Sequence, residues 1–389
     1  RQKLLDEYAE LLKQITYLED LLNSPLRQRG VIREELLAIQ ESYTDARRTH
    51  IEFQAGADFD EEDFVTEEQV LIPITQRGYI KRVPAKTYKA QGRGGRGVIG
   101  MTTRDEDAIV YMLSADTLDT LLFFTDHGKV YQERVYQIPQ ADRTAKGSLI
   151  AGILALDASE RVTAVVAVSE FDERHFLMMV TRKGWIKRIS LSEFVSIRPS
   201  GLIAINLEDN DVLGWVRLTH GQDDVILITE QGQGIRFNEA EVRPMGRNAR
   251  GVTSMRLKTG DTITSMEVVE PGGDLFIASE NGYGRRTALE EFSPQGRGGK
   301  GVRTYSVNAK TGPVTAARVV QAGDEITLIS QNGLVIRTRV AHIPQMGRYT
   351  RGVQLIDLKE GDQVASIARL PEGVSETNGA PATGIDANT

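Results

Sequence analysis

Val225-Ile226-Leu227-Ile228-Thr229-Glu230-Gln231-Gly232 and the later Arg247-Asn248-Ala249-Arg250-Gly251 decide the fold, because both patterns recur along the chain. The first is a short apolar run closed by a turn glycine. Its counterparts are Val70-Leu71-Ile72, Leu121-Leu122-Phe123-Phe124, Leu177-Met178-Met179-Val180, Leu275-Phe276-Ile277-Ala278 and Ile326-Thr327-Leu328-Ile329. The turn glycines are Gly78, Gly128, Gly184, Gly232, Gly282 and Gly333, and the second glycines are Gly97, Gly147, Gly201, Gly251, Gly301 and Gly352. The offset between them is 19 residues in five units and 17 in the third. A period of roughly 50 residues suits one four-stranded blade and is too long for a single helical hairpin. Such units cannot bury a hydrophobic face alone, and a closed ring leaves only short, protected edges.

The local patterns agree with blades. Short apolar runs bounded by turn residues fit strands buried on both faces, as inner blade strands are. Arg77-Gly78, His127-Gly128, Lys183-Gly184 and Asn332-Gly333 supply hairpin turns. The partner strands alternate and end basic, as in Tyr79-Ile80-Lys81-Arg82 and Trp185-Ile186-Lys187-Arg188. Two further strands are expected to complete each unit, for example Val162 to Val168 and Val212 to Leu218, often announced by Gly-Asp as at Gly260-Asp261 and Gly361-Asp362. The fold class is therefore mainly β: a six-bladed, propeller-like ring of four-stranded blades over residues 67–370.

An α-helical coiled-coil segment precedes it, over residues 1–52 with its connector. Leu4, Tyr8, Leu11, Ile15, Leu18 and Leu22 step by four and three, a heptad-like seam, and Ser24-Pro25 ends that helix. Ile32, Leu36, Ile39 and Tyr43 repeat the spacing. The pattern fits either a two-helix hairpin closing on itself or one arm of a longer coiled coil. Residues 53–66 read as an acidic linker, and residues 371–389 as a disordered tail of small polar residues.

Bulk properties set outer limits. The 389 residues carry a formal net charge of −7 and no cysteine. Disulfides and thiolate sites are excluded, and a reducing compartment fits. No apolar stretch approaches the length that spans a bilayer, and Arg1 to Asp6 lacks a signal-peptide pattern. The chain begins without methionine inside a helical pattern, as a C-terminal fragment of a longer protein would. The acidic total argues weakly against nucleic acid, but it hides strong local segregation of charge.

That segregation lies in the glycine loops. Five units place two cations three apart before the second glycine: Arg93 and Arg96, Arg143 and Lys146, Arg247 and Arg250, Arg297 and Lys300, Arg348 and Arg351. The third unit departs, with Arg198-Pro199-Ser200-Gly201. Equivalent positions in a ring share one surface, so these pairs form a positive track suited to phosphates. Glycine between the cations lets a backbone approach closely and offer its N–H groups. One such loop is readily a solvated turn; five with the same spacing are a pattern. Gly92-Arg93-Gly94-Gly95-Arg96-Gly97 and Gly296-Arg297-Gly298-Gly299-Lys300-Gly301 also match GxGxxG, but neither joins a buried strand to a helix, so the dinucleotide reading fails. Isolated arginine-glycine-glycine copies inside a strand repeat likewise fit disordered RNA binders poorly.

Gln91-Gly92-Arg93-Gly94-Gly95-Arg96-Gly97 resembles the box heptapeptide of the DNA gyrase A-type family, and the resemblance extends to about Leu370. Leu4 to Leu12, Ile32 to Leu36 and Arg47 to Ile51 resemble the end of that family's coiled-coil arm and its connection to the C-terminal domain. The resemblance implies a β-pinwheel that wraps duplex DNA, with Gln91, Arg93, Gly94, Gly95, Arg96, Gly97, Arg143, Lys146, Arg247, Arg250, Arg297, Lys300, Arg348 and Arg351 as DNA-binding residues. It implies ATP-dependent negative supercoiling by a parent type IIA topoisomerase, with the gyrase B protein in an A2B2 complex. ATP and Mg2+ act on that complex and no cofactor is held in this chain. Self-association through the coiled-coil region and a bacterial cytoplasmic or nucleoid location follow as well. Residue 92 is Gly where the box often has a cation, Gln295 to Gly301 is a second full match, and the tail lacks a dense acidic run.

No catalytic residue is expected here. The family's tyrosine nucleophile lies upstream, and no tyrosine sits in a matching context. His50, His127, His175, His220 and His342 are scattered, while Asp105-Glu106-Asp107 and Asp223-Asp224 read as turns. Two alternatives stand beside the wrapping module: a topoisomerase IV A-type C-terminal domain, whose box is degenerate or absent, and a propeller used as a protein-interaction scaffold, which should display aromatic anchors. A propeller enzyme with a site in its channel should converge carboxylates or histidines on the axis.

Overall fold

A computed structural model of the chain describes residues 1–44, 61–85, 109–142, 145–332 and 334–371. The chain divides into two compact units, Arg1–Asp60 and Glu61–Thr389.

The first unit holds two helices, Gln2–Asn23 and Pro25–Tyr43. Ser24 between them is extended, and Pro25 opens the second helix, where a first-turn N–H has no intrahelical acceptor to lose. Neither helix buries a residue, and Leu4, Tyr8, Leu11, Ile15, Leu18 and Leu22 are all exposed. Among the described residues the two helices therefore enclose no core of their own, and the apolar seam of the first is exposed.

The second unit is a ring of six antiparallel sheets preceded by a short 3-10 turn, Glu61–Phe64. The described part of the expected linker belongs to this unit: the Glu62 carboxylate pairs with Arg134 at 2.5 Å, and the Thr117 hydroxyl donates to the Thr66 carbonyl at 2.8 Å. The second blade shows the plan. From the axis outward its strands are Val162–Val168, Thr120–Thr125, Lys129–Arg134 and Leu202–Ile203. The third runs Leu213–Thr219, Phe176–Thr181, Trp185–Ser190 and Val252–Thr253. Ile263–Val268, Asp224–Thr229, Gln233–Asn238 and Val302–Arg303 make the fourth. Val314–Val320, Asp274–Ser279, Tyr283–Ala288 and Val353–Gln354 make the fifth.

The end blades vary this plan. In the first, Gln69–Thr75 lies between Ile109–Asp116 and the interrupted strand Tyr79–Ile80 and Val83–Pro84, with Ser148–Leu149 outermost. The sixth has Val364–Leu370, Glu325–Ser330 and Val335–Arg339, and no fourth strand among the described residues. The innermost strands touch in turn around the axis, and Val364–Leu370 meets Ile109–Asp116 to close the ring.

The apolar runs are inner strands as expected, second from the axis, and the last strand of each repeat takes the axial place. One feature differs from the expectation. The fourth strand of each complete blade is not its own: the two residues after the rim glycine pair with the preceding blade, as in Tyr79 opposite Leu149 and Trp185 opposite Thr253. Exchange ties each repeat to its neighbour through backbone hydrogen bonds as well as packing.

The cores lie between blades. Leu121 and Phe123 pack toward the first blade, whereas Leu122 and Phe124 pack toward the third, so the period-two alternation is apolar on both faces. Each such side chain contributes about 1.5–3 kcal/mol on burial. The rim glycine Gly147 has φ +81°, and a Cβ there would lie 2.5 Å from the Ile80 carbonyl oxygen, so the crossing to the next blade requires glycine.

Candidate nucleic-acid interface

The sheet order fixes where the basic loops lie. Each described loop runs directly into the outermost strand of the preceding blade, so its cations are on the perimeter of the ring. Isolated bridges Arg82 to Gln140, Arg188 to Pro244 and Arg286 to Gln345 hold the start of three loops against the same edge. Gln91, Arg93, Gly94, Gly95, Arg96, Gly97 and Arg143 lie outside the described residues, as do His50 and Asp105-Glu106-Asp107.

The other expected cations sit at successive stations but not in equal states. Lys146 is exposed and places Nζ 4.0 Å from the centroid of the Tyr79 ring. Arg250 lies at 4.0 Å over Trp185 and pairs with Glu208. Arg247 Nε is 3.6 Å from Glu193 Oε2. Arg297 folds back, donating to the carbonyls of Glu241 at 3.2 Å and Thr253 at 2.6 Å. Arg348 donates to the Tyr349 hydroxyl at 2.9 Å, while Lys300 and Arg351 are exposed. The repeat thus brings the loops to one perimeter, and local carboxylates and carbonyls grade how free each cation is.

Sequence reasoning noted the basic ends of the hairpin strands without assigning them a task. Arg82 Nε donates to the Ile138 carbonyl at 2.8 Å, Arg236 to the Leu289 carbonyl at 3.1 Å, and Arg286 to the Ile343 carbonyl at 2.7 Å. Each holds the 3-10 turn of the following repeat. One residue earlier, Lys81, Lys187 and Arg285 are fully buried. Burial lowers the Lys187 pKa to about 8 and that of Arg285 to about 10, and it lowers that of Lys81 too.

The axial strands carry charge that is already matched. Arg217 and Arg318 converge on Glu267 Oε1 at 2.7 and 2.9 Å from the neighbouring blades. Asp224 pairs with Arg236, and Asp223 accepts from His220. Among the described residues no group of three His, Asp or Glu is placed to hold a metal ion.

A closed six-bladed propeller with recurrent cationic loops on its perimeter is the class that fold and site define. The chain belongs to the family described as DNA gyrase C-terminal domain, beta-propeller, whose family model matches residues 71–116, 119–169, 175–219, 223–270, 273–321 and 324–371. It is 46% identical to the gyrase A protein of Clostridium acetobutylicum over 376 residues, 97% of this chain and 45% of that protein. With the gyrase A protein of Halalkalibacterium halodurans it shares 49% over 371 residues, covering 95% and 44%. The chain thus spans a little under half the length of these relatives. Among solved structures, the C-terminal domain of DNA topoisomerase IV superposes with a TM-score of 0.68 at 28% identity, covering 80% of this chain and 96% of that one. The DNA gyrase A C-terminal domain gives 0.65 at 30%, covering 78% and 100%.

Proposed function

We propose that this chain is the DNA-wrapping module of a gyrase A protein, bending duplex DNA around the perimeter of its ring. The observation that carries this is the placement of Lys146, Arg247, Arg250, Lys300, Arg348 and Arg351 at the outer blade edges, in the loops of the second, fourth, fifth and sixth repeats. A duplex following that track meets a new cation pair at nearly every blade, and the distributed contacts offset a bending cost of roughly 1–6 kcal/mol per 20–30 base pairs. Wrapping then presents a crossing of defined hand to the strand-passage core of the parent type IIA topoisomerase, directing negative supercoiling in an A2B2 complex with the gyrase B protein. ATP and Mg2+ serve that complex away from this chain. The open seam of Leu4 to Leu22 joins the coiled-coil region of the parent, in the bacterial cytoplasm.

A topoisomerase IV A-type domain is the second reading, favoured by the similar superposition on that fold; the gyrase names of the relatives and the intact heptapeptide Gln91 to Gly97 weigh against it. The test is to relax a closed circular plasmid with a type I topoisomerase in the presence of this chain, then remove protein and resolve topoisomers. Wrapping predicts a shift in linking number that grows with protein. An unchanged distribution at saturating protein would sink the proposal.

A further inference from the structure

One position in the repeat alternates in a way that neither packing nor the surface cations explain. The third residue after the turn glycine is Lys81, Tyr131, Lys187, Ile235, Arg285 and Ile336 in blades one to six. The residue directly after that glycine alternates in step: aromatic in Tyr79, Trp185 and Tyr283, non-aromatic in Lys129, Gln233 and Leu334. The six repeats are therefore three pairs.

The odd-blade cations all do the same thing. Lys187 Nζ donates to the carbonyls of Ala204 at 2.6 Å and Arg247 at 2.5 Å. Arg285 donates through Nη2 to Thr304 at 2.6 Å and Arg348 at 2.8 Å, and through Nε to Thr350 at 3.2 Å. Lys81 Nζ reaches the Asp142 carbonyl at 3.0 Å and that of Ala145 at 2.7 Å. Each acceptor set includes backbone of the basic loop that the next repeat lays over that blade. Above two of them the loop's second cation sits on the paired aromatic, Lys146 on Tyr79 and Arg250 on Trp185; Tyr283 instead faces Lys310 at 5.4 Å.

Folding alone does not call for these charges. Among the described residues, neither Lys187 nor Arg285 makes a direct ion pair with a carboxylate, and burying a charge without one is costly. Ile235, 1% exposed at the same position, shows that the blade accepts an apolar residue there. What the cation adds is orientation. A loop carbonyl turned outward would repel a phosphate; tied inward, it leaves the loop's cations at the surface, and the buried charge adds to the potential above it.

Resting on the wrapping function proposed above, we propose that Lys187 and Arg285, with Lys81 as the third member, are positioning residues that preorganise alternate basic loops for phosphate contact. The loops of the second, fourth and sixth repeats are clamped from below by a buried cation; the loop of the fifth, over Ile235, is held instead by Arg297 on the Glu241 and Thr253 carbonyls.

The test uses the whole chain and a labelled duplex of random sequence. Lys187→Ile copies the fourth blade, and Lys187→Arg copies the fifth. Lys187→Ile should weaken binding about tenfold and flatten the slope of log K against log salt by about 2, as the loop's two cations lose their phosphates. Lys187→Arg should restore both values. Binding and slope unchanged in Lys187→Ile, or lost equally in Lys187→Arg, overturns the proposal. Arg285→Ile and Arg285→Lys repeat the comparison in another blade; if neither isoleucine variant folds, the cation is a folding requirement and the proposal is overturned. Wild-type chain that fails to bind duplex refutes the wrapping function itself and takes the clamp with it, whereas normal wild-type binding with an inert Lys187→Ile refutes only the clamp.

Discussion

The guanidinium of Arg250 lies 4.0 Å from the ring centroid of Trp185, although the arginine belongs to the fourth repeat and the tryptophan to the third blade. Strand exchange brings them together: Thr253 pairs with Trp185 itself, so the loop just before it lies over that edge. Trp185 thereby reports on the rim, while the only other tryptophan, Trp215, lies on an axial strand. In a Trp215→Phe background, duplex binding should change the Trp185 emission. Trp185→Ala should weaken binding about two- to fivefold, the worth of an exposed cation–π contact. Unchanged emission at saturation would place the duplex elsewhere.

Single rim cations should separate binding from stability. Arg348→Ala and Arg351→Ala should each lower the salt slope by about 0.9. Their unfolding free energies should stay within about 0.5 kcal/mol of the parent, because these side chains are on the surface. Arg297→Ala should behave differently, since that guanidinium is held by the Glu241 and Thr253 carbonyls. A smaller slope change, with about 1 kcal/mol lost in stability, is expected there. Salt titrations and denaturant melts on the three variants decide it.

Lys187 gives a pH signature. Its pKa is about 8 in the folded chain against 10.5 for a free lysine, with Glu193 opposing and Arg247 reinforcing the effect of burial. Between those values the unfolded chain binds more protons than the folded one. Stability contributed at this site therefore rises with pH from about 8 to 10.5, and the full penalty of the buried charge is present below 8. The unfolding free-energy difference between wild type and Lys187→Ile should shift toward the wild type across that window. A difference independent of pH would contradict the assigned burial of charge.

Rim glycines should be intolerant where the chain crosses between blades. Gly147→Ala meets both a positive φ and the Ile80 carbonyl, and should cost about 1–3 kcal/mol. Gly246→Ala, in the fourth repeat's loop, has φ outside the left-handed region and no described atom within 4 Å of the added methyl. It should be nearly neutral in a thermal melt, and equal losses from both would remove the steric argument.

The two heptapeptides should differ in role. The sixth blade lacks a fourth strand among the described residues, and the first repeat is the neighbour that follows it round the ring. Arg93 and Arg96 both changed to Ala should abolish the linking-number shift while lowering affinity only modestly. The same change at Arg297 and Lys300 should weaken affinity and preserve the hand of the wrap. Supercoiling by the reconstituted parent enzyme distinguishes the outcomes: equal loss from both pairs gives the second heptapeptide a share in closing the wrap, and loss only from the second reverses the assignment.

The sequence alone determined the six-fold repeat, the β class and the blade count, because a hairpin is local: an apolar run, a turn glycine and an alternating partner strand are contiguous. It also placed the heptad spacing and the helix break at Ser24-Pro25, for the same reason. What it could not carry was which strand reaches the axis and which blade owns the fourth strand, since both depend on contacts between residues about 70 apart, such as Trp185 and Thr253. The site divides the same way. The spacing of paired cations was legible, but the grading of those cations was not. Arg297 is held by carbonyls from the preceding repeat, and Arg250 by an aromatic ring on another blade. Lys187 shows the limit most plainly: in the sequence it is one more basic residue at a strand end, and only the exchanged loop folded over it removes it from water and turns its charge inward.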